Sequence, residues 1–351
     1  MTLANLYRET IEDYSLWDYY HSSEYPDHQF SFESLDNAYE CKEFIRQYIV
    51  HGGKEGMIVC QDFENLLPTR IKHIVSCFFI GLGIYRNIPF LKQEINQSNI
   101  SNDSETKEQH FSYLWFLTVL FHDIGYTVEE RKTKMYGKEE YKEYLDLIKK
   151  LEKRPKGIPK VFTKATLRNY LRWRMCSSSL YDHGIIGGIK LYKCLTEFRS
   201  QMVGIYNDDK NGLYWGAELD TDFNFISWVV ACHNIWFTNN DKQEANQYHC
   251  FKLDKLIIEK EEYQISASEH PFLFLFLLAD SIEPIKRLER TEWFDRIDIR
   301  FEEYSIILDI SRLPEIGIKK YASSISGLNS WLTKITPIDN NKNKYQINIL
   351  N

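Results

Sequence analysis

Four histidines and two aspartates lie in apolar segments of the sequence that have helical spacing. They are His73, His122, Asp123, His183, His233 and Asp280. Burying an ionisable side chain is costly unless the group is paired or bound to a metal ion. Imidazole and carboxylate groups are also the ligands that proteins offer to transition metals. These residue types in this setting therefore indicate metal chemistry.

The order of these residues along the chain indicates that they come from five different helices. A single histidine on an apolar helix is more often a packed core residue than a metal ligand. Helices of one bundle, however, turn their apolar faces to a shared interior, so polar groups on five such helices converge there. Crowded carboxylates repel one another, and a divalent cation removes that repulsion. We therefore expect a metal site in the core of a helical bundle.

The pattern of apolar residues predicts a mainly α-helical fold. Helical spacing predicts helices over 36–50, 66–85, 110–124, 138–153, 163–173, 177–197, 222–238 and 268–289. The polar segment 91–109 is predicted to be a loop. After residue 291 the pattern alternates, which predicts two strands around Glu302-Glu303, a helix over 317–333 and a last strand at KYQINIL. We expect this region to form a small α+β addition.

Composition favours an ordered globular protein, with 43% hydrophobic and 15% aromatic residues. The net charge of −7 argues against a protein that binds nucleic acid through a general positive charge. One segment differs, because residues 131–174 contain 15 Lys or Arg against 5 acidic residues. This basic segment is either a solvated helical hairpin or a cationic wall for a polyphosphate or another anionic ligand.

The cysteines and the apolar runs predict the cellular location of the protein. The seven cysteines form no C-x-x-C motif, which predicts reduced thiols in a cytosolic protein. The N-terminal residues do not resemble a signal peptide. The longest apolar runs, such as PFLFLFLLA, are shorter than the roughly 20 residues that a membrane span needs. We expect a cytoplasmic protein that makes no membrane contact.

Several short motifs surround the candidate ligands. Arg70 lies three residues before His73, and the other motifs are the His122-Asp123 doublet, DHGIIGG at 182–188, ACH at 231–233 and LADSIEPIKR at 278–287. Together they resemble the HD-domain superfamily of metal-dependent phosphohydrolases. They are most similar to the bacterial branch that cleaves diadenosine tetraphosphate symmetrically. The resemblance covers roughly residues 66–290.

The resemblance implies a fold and a division of the chain. The expected fold is an HD-domain helical bundle that carries a basic helical insertion at 127–176. The HD domain is predicted to occupy residues 61–290. An N-terminal helical extension at 1–60 precedes it, and the small α+β region at 291–351 follows it.

The resemblance also implies a dinuclear metal site. His73, His122, Asp123 and Asp280 would hold the first ion, while His183 and His233 would hold the second and Asp123 would bridge the two. Iron or manganese is expected first, with magnesium, zinc, nickel and cobalt as alternatives. Asp123, His183 and His233 are the catalytic candidates, since a hydroxide activated by two ions can attack phosphorus.

Substrate-binding candidates lie near these motifs. Tyr126 stands where many HD phosphohydrolases have a phosphate-facing lysine, so the missing charge must come from elsewhere. The candidates for substrate binding are Arg70, Tyr126, Arg172, Arg174, Lys190 and Lys286. The motif D-G-x-G-Y-P of cyclic-di-GMP phosphodiesterases is absent from the sequence, which argues against that substrate.

Several other residues near the motifs have a structural and a functional interpretation. Gly184, Gly187 and Gly188 either let the His183 helix approach a neighbouring helix or contact phosphate, and we favour the first interpretation. Glu283 either packs or orients a metal ligand. Trp173, Trp228 and Trp236 are predicted to be core residues rather than base-stacking platforms.

The leading functional expectation is a metal-dependent phosphohydrolase that cleaves a nucleotide, a dinucleotide or a related phosphoester or phosphoanhydride. One alternative is an HD-fold diiron oxygenase that resembles myo-inositol oxygenase. Another is a non-catalytic module that binds metal and nucleotide for signalling. The expected partner is a small anionic phosphorylated substrate, foremost a nucleotide, and nucleic acid is not expected. The oligomeric state stays open.

Overall fold

The structure is a computed structural model that describes residues 1–17, 30–51, 65–98, 107–129, 138–205, 218–239, 243–258, 265–326, 332, 335–338 and 343–350. The chain forms two compact units. Unit 1 comprises Met1–Gly52, Leu67–Val119 and Tyr263–Asn351, and unit 2 comprises Gly53–Leu66 and Leu120–Glu262. Both are mainly helical, so the predicted fold class is confirmed at this level.

Unit 1 contains nine α-helices and one antiparallel sheet among its described residues. The helices are α1 (Leu3–Glu12), α2 (Tyr14–Trp17), α3 (Ala38–His51), α4 (Pro68–Asn87), α5 (Pro89–Gln97), α6 (Lys107–His122), α13 (Pro271–Ile282), α14 (Ile285–Leu288) and α15 (Glu315–Ser326). The last three residues of α6 belong to unit 2. The sheet has the strand order β3-β4-β6-β5. Its strands are β3 (Asp298–Phe301), β4 (Ser305–Asp309), β5 (Ile335–Pro337) and β6 (Lys344–Asn348).

Helix α4 is the central element of unit 1 and carries His73. Pro68 suits its first turn, where a missing backbone N–H costs nothing. Most of its residues are buried, so the helix is apolar on nearly all sides. The indole of Trp115 on α6 fits over Gly81, where a Cβ atom would lie 1.9 Å from its Cζ2. The indole N–H also donates to the carbonyl oxygen of Phe78 at 2.9 Å.

Unit 2 contains the end of α6 and a further set of helices. These are α7 (Tyr126–Glu129), α8 (Lys138–Lys150), α9 (Lys164–Ser178), α10 (His183–Ile205), α11 (Glu218–Cys232) and α12 (Gln243–Cys250). Two short parallel strands, β1 (Thr238–Asn239) and β2 (Ile257–Ile258), complete the described part of this unit. The predicted helices of the basic segment correspond to α8 and α9, which bury apolar residues such as Leu147 and Leu171.

The prediction of one continuous helix over 268–289 is wrong, because two helices occupy this segment. Helix α13 ends at Ile282, and Glu283 has an extended backbone with φ −61° and ψ 124°. Proline disfavours the helical conformation of the residue before it, so Pro284 places this break. Glu283 thereby leaves the helix immediately after the turn that carries Asp280.

Three other boundaries differ from the sequence prediction. Residues 91–97 are helical in α5 rather than a loop, because Leu91 and Ile95 bury one face of this helix. The helix predicted over 177–197 begins at His183 instead, where the side chain of Asp182 accepts from the backbone N–H of Ile185 at 2.9 Å. The helix predicted over 222–238 ends at Cys232.

The predicted strands and helix of the C-terminal region are present in the structure. Strands β3 and β4 form the antiparallel pair predicted around Glu302-Glu303, and β6 is the predicted last strand. The helix predicted over 317–333 is α15, and residues 327–331 lie outside the described residues. Strand β5 was not predicted. At the other end of the chain, the N–H of Leu3 donates to the carbonyl oxygen of Ile297 at 2.8 Å.

Among the described residues, no helix taken alone has both the length and the apolar character of a membrane span. Helices α4 and α5 meet those criteria jointly, although they bend by 99° at their junction.

Candidate metal centre

In unit 1 the structure brings His73 together with Asp280. His73 lies on the second turn of α4, and Asp280 lies near the end of α13. Nε2 of His73 is 3.1 Å from Oδ1 of Asp280. The side chain of His73 is buried, whereas that of Asp280 is 18% exposed, so the pair lies where the interior meets solvent. The predicted association of these two residues is present in the structure.

Glu283 holds the other side of the His73 ring. Its Oε2 lies 2.6 Å from Nδ1 of His73. Because a carboxylate oxygen accepts, Nδ1 carries the hydrogen and donates it to Glu283. Glu283 is fully buried, and it also accepts from the hydroxyl of Ser76 and from the backbone N–H groups of Ile285 and Lys286. This agrees with the interpretation that Glu283 orients a metal ligand.

The two carboxylates change the ionisation of His73. Burial alone would lower its pKa, but the charge of Glu283 and the hydrogen bonds to Glu283 and Asp280 outweigh burial and raise the pKa to about 9. In the metal-free protein Nε2 therefore holds a proton that faces Asp280. A divalent cation would replace that proton, since both are positive charges that a neutral imidazole and a carboxylate can share.

Lys286, one of the predicted substrate-binding residues, pairs with Asp280. Its Nζ lies 3.1 Å from Oδ1 of Asp280. Lys286 therefore places a cation beside a candidate metal ligand. Arg70 lies on the first turn of α4 and is partly buried.

In unit 2 the structure brings His122, Asp123, His183 and His233 together. The doublet ends α6 and is fully buried, with Nε2 of His122 3.2 Å from Oδ1 of Asp123. The ring centroids of His122 and His233 are 5.5 Å apart, and those of His183 and His233 are 5.1 Å apart. Residues from three helices or their ends, distant in sequence, thus form one buried cluster.

Glycines allow the helix that carries His183 to approach its neighbours. A Cβ at Gly184 would lie 2.8 Å from Nδ1 of His233. A Cβ at Gly187 would lie 2.5 Å from the carbonyl oxygen of Phe121. Gly188 has a similar contact with the backbone of α11. The favoured interpretation of these glycines, close helix packing, agrees with these distances.

Two of the three histidines of this cluster, His183 and His233, have opposite neighbours at Nδ1. Nδ1 of His233 is 2.7 Å from the carbonyl oxygen of Val230, so it carries the hydrogen and leaves Nε2 with a lone pair. Nδ1 of His183 is instead 3.4 Å from Nδ2 of Asn234, which is an amide donor. The neighbour of Nδ1 is therefore an acceptor at His73 and His233, and an amide nitrogen at His183.

The predicted substrate-binding residues of unit 2 have different positions. The ring of Tyr126 stacks on His183, with centroids 3.9 Å apart and an interplanar angle of 17°. Arg174 lies with its Nε 3.8 Å from the buried Oδ2 of Asp182. Arg172 is exposed on α9, and Lys190 is half-buried on α10.

Of the three predicted core tryptophans, Trp228 is fully buried and confirmed. Trp173 is partly exposed, and its indole N–H donates to Gln247 at 3.0 Å. The core prediction is wrong for Trp236, which is 45% exposed. It follows the end of α11, so its side chain is not held between helices.

Sequence reasoning missed Asp182 and Asn234 as members of the site. Each is adjacent in sequence to a predicted ligand, and that adjacency was the available signal. The amide Nδ2 of Asn234 donates to Oδ2 of Asp182 at 2.7 Å. The two residues are separated by about fifty positions, so the folded chain alone brings them into contact.

The described residues thus form two groups of candidate ligands, one in each unit. His73, His122 and Asp123 are all buried, and each offers one atom of a type that binds metal ions. The prediction that both groups serve one centre stays a prediction. Comparison of the chain with protein-family models, with curated proteins and with solved structures returns no match.

Proposed function

We propose that this protein is a metal-dependent phosphohydrolase of the HD-domain type. Its substrate would be a nucleotide, a dinucleotide or a related phosphoester or phosphoanhydride. The metal would be a divalent transition metal, foremost iron or manganese. The residues that would hold it are His73 and Asp280 in unit 1, and His122, Asp123, His183 and His233 in unit 2. A protein with this activity would need imidazoles and carboxylates held close together, which both groups of candidate ligands supply.

The observation that carries the proposal is the hydrogen bond that Nδ1 makes in two histidines. His73 and His233 each donate Nδ1–H to an oxygen atom, at 2.6 Å and 2.7 Å respectively. Histidines that bind metal nearly always donate the other ring N–H to a carboxylate or a backbone carbonyl, which fixes the tautomer and raises ligand basicity. Both rings therefore have the hydrogen bond expected of a metal ligand that binds through Nε2.

Two further residues of unit 1, Glu283 and Lys286, support the proposal. Glu283 holds the proton of His73 at Nδ1 and so keeps Nε2 as the ligand atom. Lys286 brings a positive charge to Asp280, at the end of the motif that the sequence shares with the HD hydrolases. A bound divalent metal would lower the pKa of water and neutralise phosphoryl oxygens, which is the chemistry that such hydrolysis needs.

The experiment that tests the proposal combines metal analysis with a substrate panel. The purified protein is loaded anaerobically with Mn²⁺ or Fe²⁺, and its metal content is measured by mass spectrometry. Nucleotides and dinucleotides are then incubated with it, and the products are separated by ion-exchange chromatography. We expect hydrolysis of at least one phosphorylated compound by the metal-loaded protein and none by the metal-free protein.

Three variants make the test specific. His122→Ala and Asp123→Ala should each weaken metal binding by more than about 100-fold, since even outer hydrogen-bond partners of ligands contribute about 10- to 100-fold. His249→Ala is the control, because His249 is an exposed histidine that pairs with Asp254. Full metal content in both His122→Ala and Asp123→Ala would reject the site.

The alternatives give different results in the same experiment. Oxygen consumption by the iron-loaded protein with all nucleotides intact would favour an oxygenase. A fully metallated protein that binds nucleotides and converts none of them would favour a signalling module.

A further inference from the structure

Glu283 lies at the break between α13 and α14, and this break changes the partners of nearby backbone groups. In a continuous helix the N–H of Lys286 would donate to the carbonyl oxygen of Ile282, four residues earlier. Here that N–H donates to Oε2 of Glu283 at 3.0 Å. The N–H of Ile285 donates to Oε1 of the same carboxylate at 2.6 Å. The first two N–H groups of α14 therefore hold the side chain of Glu283.

The carbonyl oxygen of Ile282 has a partner in the C-terminal α+β region. The hydroxyl of Tyr321 on α15 donates to it. Tyr321 is fully buried, and a carbonyl oxygen that lost its donor in the interior would be costly. Tyr321 thus stabilises the backbone conformation from which the side chain of Glu283 reaches His73.

The side chain of Glu283 also depends on the N-terminal helix α1. The hydroxyl of Ser76 on α4 donates its one hydrogen to Oε1 of Glu283. The hydroxyl of Tyr7 lies 2.7 Å from Oγ of Ser76, so Tyr7 is the donor in that contact. The carbonyl oxygen of Ser76 is farther from the same hydroxyl, at 3.3 Å. Hydrogen bonds therefore connect Tyr7, through Ser76 and Glu283, to the ring of His73.

Packing fixes the ring of Tyr7 independently of its hydroxyl. Tyr7 is fully buried, and its ring centroid lies 6.1 Å from that of Phe32 and 5.3 Å from that of Phe294. The start of α1 is held as well, since the N–H of Leu3 donates to the carbonyl oxygen of Ile297 at 2.8 Å. Replacing Tyr7 by phenylalanine therefore removes the hydroxyl and keeps the ring in place.

We propose that Tyr7 and Tyr321 are positioning residues for the metal ligand His73, on which both act through Glu283. This rests on the proposed function, in which His73 binds the metal ion. The two tyrosines belong to α1 and α15, which lie outside the predicted HD domain at 61–290. Both terminal regions of the chain thereby contribute to the metal centre.

The physical reason is the precision that a metal site requires. Functional side chains must stay within about 0.5 Å of their productive geometry, and their neighbours hold them there. The hydroxyl of Tyr7 holds Ser76, and that of Tyr321 holds the backbone beside Glu283. Direct partners of metal ligands contribute about 10- to 100-fold to metal affinity. For residues one step farther away we expect a smaller effect, about threefold to tenfold.

The first test compares tyrosine-to-phenylalanine variants, each of which loses one hydroxyl. Tyr85→Phe is the matched control, because buried Tyr85 lies on α4 with His73 and donates to Oδ1 of Asn96 at 2.9 Å. Urea unfolding midpoints should fall to a similar extent in Tyr7→Phe, Tyr321→Phe and Tyr85→Phe, since each loses one hydrogen bond.

Titration of the same proteins with Mn²⁺ against a competing chelator measures metal affinity. A titration of His73→Ala identifies the ion that His73 binds. For that ion we expect affinity to fall about threefold to tenfold in Tyr7→Phe and in Tyr321→Phe, and to stay at the wild-type value in Tyr85→Phe. Wild-type affinity in both Tyr7→Phe and Tyr321→Phe would overturn the proposal.

The second test asks whether Tyr7 acts through Ser76. Residues of one hydrogen-bond network have effects that do not add, whereas independent residues have additive effects. In the Ser76→Ala background, Tyr7→Phe should weaken Mn²⁺ binding no further. Additive losses of affinity in the double variant would show that Tyr7 does not act through Ser76, and would refute its assigned role.

The third test observes the His73 ring in the metal-free protein. The hydrogen between Nδ1 of His73 and Glu283, across 2.6 Å, gives a ¹H NMR signal whose chemical shift depends on the length of that bond. A spectrum of His73→Ala assigns this signal. Tyr7→Phe and Tyr321→Phe should each move it, while Tyr85→Phe should not. An unmoved signal in both Tyr7→Phe and Tyr321→Phe would contradict the positioning role.

The outcomes separate this proposal from the proposed function. If the wild-type protein binds no metal, the phosphohydrolase proposal fails, and the NMR signal of His73 still decides whether the tyrosines position its ring. If the wild type binds metal and both tyrosine variants bind it equally well, the phosphohydrolase proposal survives and the positioning role fails. Should one tyrosine variant fold poorly, the other variant and Ser76→Ala decide.

Discussion

Replacing Glu283 by alanine should destabilise the metal-free protein and weaken its metal binding at the same time. The carboxylate is fully buried and accepts four hydrogen bonds. The donors are Nδ1 of His73, the hydroxyl of Ser76 and the backbone N–H groups of Ile285 and Lys286. Alanine would leave all four donors in the interior without this acceptor.

The size of the effect follows from that arrangement. Removing one partner of a buried charged pair costs about 3–5 kcal/mol, because the remaining group stays desolvated. We expect a loss of this size in the free energy of unfolding for Glu283→Ala. Glu283→Gln keeps the shape and one acceptor oxygen but loses the charge, so its cost should be smaller, about 1–3 kcal/mol.

Metal affinity should fall by about 10- to 100-fold in Glu283→Ala, because the His73 ring loses the partner that fixes Nδ1–H, and by less in Glu283→Gln, which keeps one acceptor oxygen. The reason is geometric as well as electrostatic. Nε2 can serve as a ligand atom when the hydrogen stays on Nδ1, and Glu283 is the acceptor that holds it there.

Urea unfolding of the metal-free proteins, followed by far-ultraviolet circular dichroism, measures the stability change. Titration with Mn²⁺ against a competing chelator measures the affinity change. Glu292→Gln is the control, since Glu292 is an exposed residue paired with exposed Arg290, and its free energy of unfolding should change by less than about 0.5 kcal/mol. If Glu283→Ala unfolds within about 1 kcal/mol of the wild type and binds metal equally well, the role assigned to Glu283 is wrong.

Two glycine substitutions test close packing with the same tools. Gly81→Ala would put a methyl group 1.9 Å from Trp115. We expect this substitution to lower the free energy of unfolding by about 1–3 kcal/mol. Gly83→Ala on the same helix meets flexible side-chain atoms of α1 at 3.1 Å, so urea unfolding should show a change below about 1 kcal/mol. Gly184→Ala would put a methyl group 2.8 Å from Nδ1 of His233, so chelator competition should show weaker metal binding while Gly83→Ala binds normally.

Much of the secondary structure could be predicted from the sequence, since apolar spacing and turn residues act locally. The helices around His73 and Asp280, the helical basic segment and the C-terminal strands all correspond to described elements. Two of the differences have clear physical reasons. Pro284 ends the helix at Ile282 although apolar spacing continues, and at residues 91–97 two buried side chains make a polar segment helical.

Residue types and their apolar setting were enough to identify the residues that can do chemistry. Ionisable groups placed in apolar helices need a partner or a metal, and this physical cost made the six candidate ligands visible without any structure. The tertiary structure decided the hydrogen-bond partner of each imidazole, because that partner comes from a distant part of the chain. Glu283 lies beside His73, and Asn234 lies beside His183. A carboxylate accepts hydrogen bonds and an amide nitrogen donates them, so residues of one type have different surroundings in the folded chain.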